Sequence, residues 1–173
     1  MNPGIELRAF NDLSYGLYIL TSFDGEKKNG QIINTAIQIT PDPLQVEVIV
    51  NKNNLTHQYI KASGLFAVSV LDESTPFSFI GLFGFRSGRE TDKLAKANHK
   101  EGVTGCPLVT EHALSIFEAR VTGQIDVGSH TIFIGAPLNS EVIRDGRPLT
   151  YQYYHQVMKG KSPPTAPTFR PAA

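Results

Sequence analysis

Residues 29–57 read NGQIINTAIQITPDPLQVEVIVNKNNLTH, and most of the fold turns on how this stretch divides. Over residues 31–40 the side chains alternate, with Ile33, Thr35, Ile37 and Ile39 on one side and Ile32, Asn34, Ala36 and Gln38 on the other. That is the period-two pattern of a strand. Pro41-Asp42-Pro43 forces a turn, because each proline fixes φ and removes a backbone donor. A second strand follows over residues 44–51, its Val46, Val48 and Val50 face opposed by Gln45 and Glu47. The stretch closes on Asn51, Lys52, Asn53, Asn54, Thr56 and His57, a run of donors at the start of a short helix over residues 54–60. Asn53 or Asn54 is the candidate N-cap and Ser63-Gly64 the stop. Such a run between a strand end and a helix N-terminus either caps the helix or holds an anion such as phosphate. Lys52 and His57 flanking the same start bring the second reading level with the first.

Outward from this stretch the pattern stays mostly strand. Residues 15–22 (YGLYILTS) are apolar and rich in β-formers, and Phe23-Asp24-Gly25 begins a polar turn that lasts to Gly30. Residues 65–71 form a buried strand. Thr75-Pro76 opens a second short helix, since proline suits the first helical position, and Arg86-Ser87-Gly88-Arg89 breaks it before a further helical turn over residues 90–97. Two long strands, 114–126 and 130–143, are joined by Val127-Gly128-Ser129, and a shorter strand follows around residues 149–154. The segment KSPPTAPTFRPAA is Pro-rich and aperiodic, an extended arm. The expected division is one domain over residues 1–160 and a tail over 161–173. About seven strands with a few short helices favour a mainly β fold, a single β-barrel, over a doubly wound sheet.

Composition narrows the function. Sixteen Lys+Arg balance sixteen Asp+Glu, with a pI near 7.0, which leaves no electrostatic footprint for nucleic acid or an anionic membrane surface. No apolar run approaches the roughly 20 residues that span a bilayer. The first residues, MNPGIELRAFND, carry charges where a signal peptide has its apolar core, so a cytoplasmic location is expected. Cys106 is the single cysteine and the five histidines lack H-E-x-x-H spacing, so neither an intrachain disulfide nor a bound metal is expected. G-x-S-x-G, Walker and G-x-G-x-x-G patterns are missing, which leaves hydrolase, NTPase and Rossmann readings without support.

Two further groups could carry chemistry. In Arg86-Ser87-Gly88-Arg89 the arginines can take a phosphate bidentately and the glycine lets backbone approach, although two solvated arginines fit the loop equally. His130, in GSHTIFIG, opens an apolar strand, either as a hydrogen-bonded edge residue or as a neutral imidazole facing a cleft. A phosphate-like pocket with no metal, thiol or nucleophile motif points to an organic cofactor.

The stretches YGLYILTS, NGQIINTAIQITPDP, VNKNNLTHQYIKASGLFAVSVL, FIGLFGFRSGRETDK, GSHTIFIG and LTYQYYHQ cover nearly the whole chain. Together they resemble the flavin reductase-like family, whose members bind FMN in a split β-barrel and dimerise, and within it the flavin domain of the high-molecular-weight rubredoxins. The resemblance implies that Gln31, Ile32, Ile33, Asn34 and Thr35 run along the isoalloxazine, and that Asn51, Lys52, Asn53, Thr56 and His57 bind the ribityl phosphate. It implies further phosphate ligands in Ser87 and Arg89, a border to the flavin site at Tyr151 and Tyr154, and a catalytic His130 near the stacked nicotinamide. Ser129 stands where the family more often has an acidic residue.

The implied activity is an FMN-dependent NAD(P)H:flavin oxidoreductase that takes hydride at flavin N5 and works as a homodimer. A rubredoxin fusion would add two Cys-x-x-Cys knuckles after this domain, and none follows here before Ala173. The expected acceptor is therefore free flavin, a small molecule or a separate rubredoxin-like or other redox protein. The alternative is an FMN-bearing electron carrier that does not itself oxidise NAD(P)H. An oligonucleotide-binding barrel is opposed by the zero net charge and the lack of Trp.

Overall fold

Alternation of apolar and polar side chains carries through to the structure, a computed structural model that describes residues 4–169. In β4 (Leu44–Asn51) Val46, Val48 and Val50 are buried and the residues between them are half-exposed, as the sequence pattern requires. The other strands are β1 (Tyr18–Asp24), β2 (Lys27–Ile33), β3 (Ala36–Pro41), β5 (Leu65–Leu71), β6 (His99–Glu101), β7 (Pro107–Val109), β8 (Ala113–Asp126) and β9 (His130–Val142). Three helices complete the fold: α1 (Leu55–Ser63), α2 (Phe77–Gly84) and α3 (Tyr151–Gln156). Seven of the strands form an antiparallel sheet in the order β2-β1-β5-β8-β9-β4-β3, and β6 pairs with β7 separately.

That order explains the shape. β2 and β3 lie at opposite edges of the sheet, yet only Asn34 and Thr35 separate them in the chain. The three Cα–Cα steps from Ile33 to Ala36 reach no more than about 11 Å, far less than the width of a seven-stranded sheet, so the sheet must roll until its edges approach. The edges approach without forming a ladder between them, which makes the fold a mainly β split barrel with an unclosed sheet. The barrel interior holds Leu20, Val48, Ile60, Phe66 and Phe133, and a second cluster under α2 and α3 holds Leu17, Ile19, Ile80, Phe83 and Tyr154. Among the described residues no helix is long and apolar enough to cross a membrane.

Several elements differ from the sequence expectation. The single strand expected over residues 31–40 is broken at Asn34 and Thr35, where the sheet changes edge. The polar turn expected over residues 23–30 shrinks to Gly25-Glu26, with Asp24 paired to Lys27 and Gly25 at φ 58°. The strand expected around residues 149–154 is helix α3. Its tyrosines favour strand, but the Thr150 hydroxyl accepts the Tyr153 N–H at 3.1 Å and caps the first turn. The helical turn expected over 90–97 is a short 3₁₀ turn at Leu94–Lys96. The Pro-rich segment expected to extend as an arm turns back on the barrel over residues 161–169, while residues 170–173 of that arm lie outside the described residues.

Candidate functional site

Beside the end of β2 lies a cavity of about 410 Å³, within the range of roughly 300–1,000 Å³ typical of small-molecule sites. One wall is the outgoing end of β2, from Asn29 and Gln31 to Asn34. Asn51, Asn54, Ser87 and Arg89 line the cavity as well. Ile80 and Phe83 from α2, Leu17, and Tyr151 and Tyr154 from α3 supply the apolar part. The register of the sheet brings separate sequence groups here, since the β4–β9 ladder pairs Asn51 directly with His130 and the Lys52 N–H donates to the Ser129 carbonyl at 3.0 Å. Gly88 brings in the Arg86–Arg89 loop. A Cβ there would stand 2.1 Å from Asn29 Oδ1, so only glycine permits the approach. Arg89 Nη1 then reaches the Asn53 carbonyl at 3.5 Å, which ties the loop to the start of α1.

The residues singled out from sequence fall into two groups. Gln31, Ile32, Ile33, Asn34, Asn51, Ser87, Arg89 and Tyr154 line the cavity. Asn53 stands beside it, its N–H held by Asn51 Oδ1 at 3.0 Å and its carbonyl facing Arg89. The rest point elsewhere in this conformation. Thr35 donates to the Ile49 carbonyl at 3.2 Å, and Lys52 forms an ion pair with Asp126. Thr56 is fully buried under Asn29. His57 packs on Phe133 and meets the Thr131 hydroxyl at 2.9 Å; burial, then the nearby Lys61 and Lys52, hold its imidazole below its ordinary pKa. His130 lies at the margin, its Nδ1 at 2.8 Å from the Ser129 hydroxyl and its Nε2 at 3.2 Å from the Thr165 carbonyl.

Sequence reasoning missed two parts of the site. Lys93 is only 3% exposed and lines the cavity, with Nζ donating to the Arg86 carbonyl at 3.2 Å and standing 5.9 Å from the centre of the Phe83 ring. Among the described residues no carboxylate pairs with it, and burial pushes its amine down to about 8. Lys93 falls in the stretch 90–97 that the sequence reads as a helical turn, and nothing in the spacing marks the lysine as buried. The second part is the Pro-rich segment itself, whose residues 161–167 form the outer wall of the cavity.

The sequence profile of the flavin reductase like domain matches residues 10–159. High molecular weight rubredoxin of Moorella thermoacetica is 47% identical over 165 residues, spanning 95% of this chain and 72% of that protein. Ferric-chelate reductase (NAD(P)H) of Archaeoglobus fulgidus is 48% identical over 165 residues, spanning 95% of this chain and 98% of that protein. Among solved structures, flavin reductase HpaC complexed with NADP+ superposes with a TM-score of 0.72 at 25% identity, covering 83% of this chain and 89% of that one. The chain belongs to the flavin reductase-like family of flavin-binding oxidoreductases.

The cavity fits a flavin on its own evidence. Asn34 lines the cavity, and its Oδ1 is buried without a partner among the described residues. Lys93 is a buried cation short of acceptors, and buried charge is retained only where something compensates it. Apolar side chains and amide, hydroxyl and guanidinium donors line the same cavity, the mixture that a ring with a polar chain requires.

Proposed function

We propose that the chain holds FMN in this cavity and uses it to oxidise NAD(P)H. The observation that carries the reading is the composition of the walls: the Gln31–Asn34 edge, apolar α2 and α3 side chains, and the polar Asn51, Asn54, Ser87 and Arg89 line one cavity. Gln31, Ile32, Ile33 and Asn34 would line the ring, and Ser87, Arg89 and the start of α1 would hold the phosphate through charged and backbone donors. FMN, when bound, supplies the hydride-accepting chemistry. The protein's share is orientation and exclusion of water, with His130 at the margin where a nicotinamide would approach.

Electrons then leave to a separate acceptor, either free flavin, a small oxidant or a redox protein of the rubredoxin kind. The relatives named rubredoxin and ferric-chelate reductase lend support to such acceptors. A homodimer and a cytoplasmic location are part of the same reading, the former supported by exposed Ile37 and Ile39 on the edge strand β3 and Leu44 at the start of β4.

The deciding experiment is an absorption spectrum of the purified protein with FMN, followed by anaerobic addition of NADH or NADPH. Rapid bleaching of the flavin band is expected, and a protein that takes up no FMN rules the reading out. One observation favours a second reading, an FMN electron carrier that does not use NAD(P)H: both ring nitrogens of His130 are already engaged, by Ser129 and Thr165. A flavin that binds tightly yet stays oxidised under NADH and NADPH supports the carrier.

A further inference from the structure

Residues 161–167 belong to the cavity without belonging to the barrel. All seven line it, yet the segment joins no helix or strand. Among the described residues no backbone–backbone hydrogen bond ties 161–169 to the barrel. The two such bonds the segment makes, Ala166 N–H to the Pro163 carbonyl and Phe169 N–H to the Ala166 carbonyl, are internal. What holds it are side chains of α3 and of the sheet. The Tyr154 hydroxyl donates to the Lys161 carbonyl at 3.1 Å, and the Tyr151 hydroxyl is hydrogen-bonded to Ser162 and, at 2.7 Å, to Thr168. Asn34 Nδ2 donates to the Thr168 hydroxyl at 2.9 Å, and His130 Nε2 stands 3.2 Å from the Thr165 carbonyl. Just before the segment, Gly160 passes so close to Tyr154 that a Cβ would stand 2.1 Å from the ring, which fixes where the chain leaves the end of α3.

Prolines stand at 163, 164 and 167. They narrow the conformations of the free segment, so less entropy is lost when it is held in place. A ligand in a pocket of this kind is covered over roughly 70–90% of its surface, so one that fills the cavity rests against this segment as well as against β2 and α2. Contacts with a preordered segment act on release more than on entry. Because only side chains hold it, the segment can swing aside and return without breaking the sheet.

We propose that the Pro-rich segment 161–167 is a retaining strap, which keeps the flavin resident in the cavity in both its oxidised and its reduced form, so that an electron acceptor must come to the site and does not collect flavin released from it. This rests on the flavin reading above and gives a role to residues beyond the matched stretch 10–159. It narrows the acceptor to one that takes electrons in place.

The test measures FMN release from the full-length holoprotein in the presence of excess apoflavodoxin as a trap, with the flavin on each protein counted after rapid gel filtration. It is run on oxidised protein and again after anaerobic reduction by dithionite. Pro163→Gly with Pro164→Gly loosens the strap while keeping its hydrogen bonds, and should speed release about fourfold to thirtyfold, with association unchanged within about twofold. Ser162→Ala removes one bond to Tyr151 and should speed release roughly threefold to tenfold. Reduced FMN should leave the wild type as slowly as oxidised FMN and follow the same order among the variants.

Release at the wild-type rate in both variants overturns the strap, and so does an association rate that falls as far as release rises, the mark of a damaged pocket. Reduced FMN that leaves the wild type at least tenfold faster than oxidised FMN overturns the residence of the cofactor. These results leave the flavin reading standing, whereas a wild-type protein that takes up no FMN overturns that reading and the strap together.

Discussion

Asn29 on β2 donates through Nδ2 to the hydroxyl of Thr56 on α1 at 2.8 Å, with both side chains buried. The bond closes the stretch 29–57 on itself, since its two ends are brought together by the strands and turn between them. The other end of the same amide packs against Gly88, so one side chain locates both the start of α1 and the Arg86–Arg89 loop. Thr56→Val leaves the Asn29 donor buried and unpaired, an expected loss of about 1–3 kcal/mol in urea unfolding. Gly88→Ala should cost less stability but displace the loop, and so weaken FMN binding.

Lys93 gives a prediction in pH. Burial lowers its folded pKa to about 8 from an ordinary 10.5, so between those values the unfolded chain binds more protons than the folded one. Stability rises with pH wherever that holds. The Lys93 contribution in flavin-free protein should therefore grow more favourable as pH climbs from about 8 towards 10.5, because the cost of burying a charged amine is relieved. Lys93→Met should remove that rise. Melting temperatures of the two proteins across this range, compared as a difference, report it; parallel curves would contradict the assignment.

The parts of the fold legible in the sequence are those fixed by local pattern. β4 and β5 fall at Leu44–Asn51 and Leu65–Leu71 as the alternation and apolar runs require, and α1 ends at Gly64, whose φ of 68° needs a residue tolerant of the left-handed region. The helix start was legible as well, although Asn54 caps it with no side-chain bond. What local pattern could not supply is tertiary. Residues 31–40 alternate straight through the break at Asn34, because alternation records which side faces the core and not which edge of the sheet a strand joins. Lys93 is buried only because α2 and the loop after it fold over it. The Pro-rich segment has no period of its own, and its course depends on hydroxyls at Tyr151 and an amide at Asn34. Thr150 was a readable cap for α3, overshadowed by the three β-prone tyrosines that follow it, Tyr151, Tyr153 and Tyr154.

Arg89 and Lys52 were drawn from the same donor cluster, but the geometry separates them. Arg89 lines the cavity beside Ser87, whereas Lys52 is turned to Asp126 at the surface. Arg89→Ala should weaken FMN by about tenfold to a hundredfold, the range for losing a charge-assisted hydrogen bond, and leave riboflavin, which has no phosphate, nearly unaffected. Lys52→Ala should do less. Titration of both flavins into each variant separates the phosphate from the ring, and equal losses for FMN and riboflavin would move Arg89 away from the phosphate.

His130 is the residue for which binding and turnover should part. The β4–β9 ladder fixes its backbone opposite Asn51, and its ring is held between the Ser129 hydroxyl and the Thr165 carbonyl. It does not line the cavity wall, so its removal should leave FMN affinity within about twofold, a change too small to signal a lost hydrogen bond. A nicotinamide approaching the ring from that margin would lose an orienting group, and misplacement of a reacting pair costs on the order of 10²-fold. In anaerobic stopped-flow experiments, His130→Ala should therefore slow bleaching of the flavin by NADH or NADPH by about that factor, while reduction by dithionite, which needs no docking, proceeds as in wild type. Slowing of both reductants together, or loss of FMN in step with the rate, would assign His130 to the flavin pocket and leave the nicotinamide without its histidine.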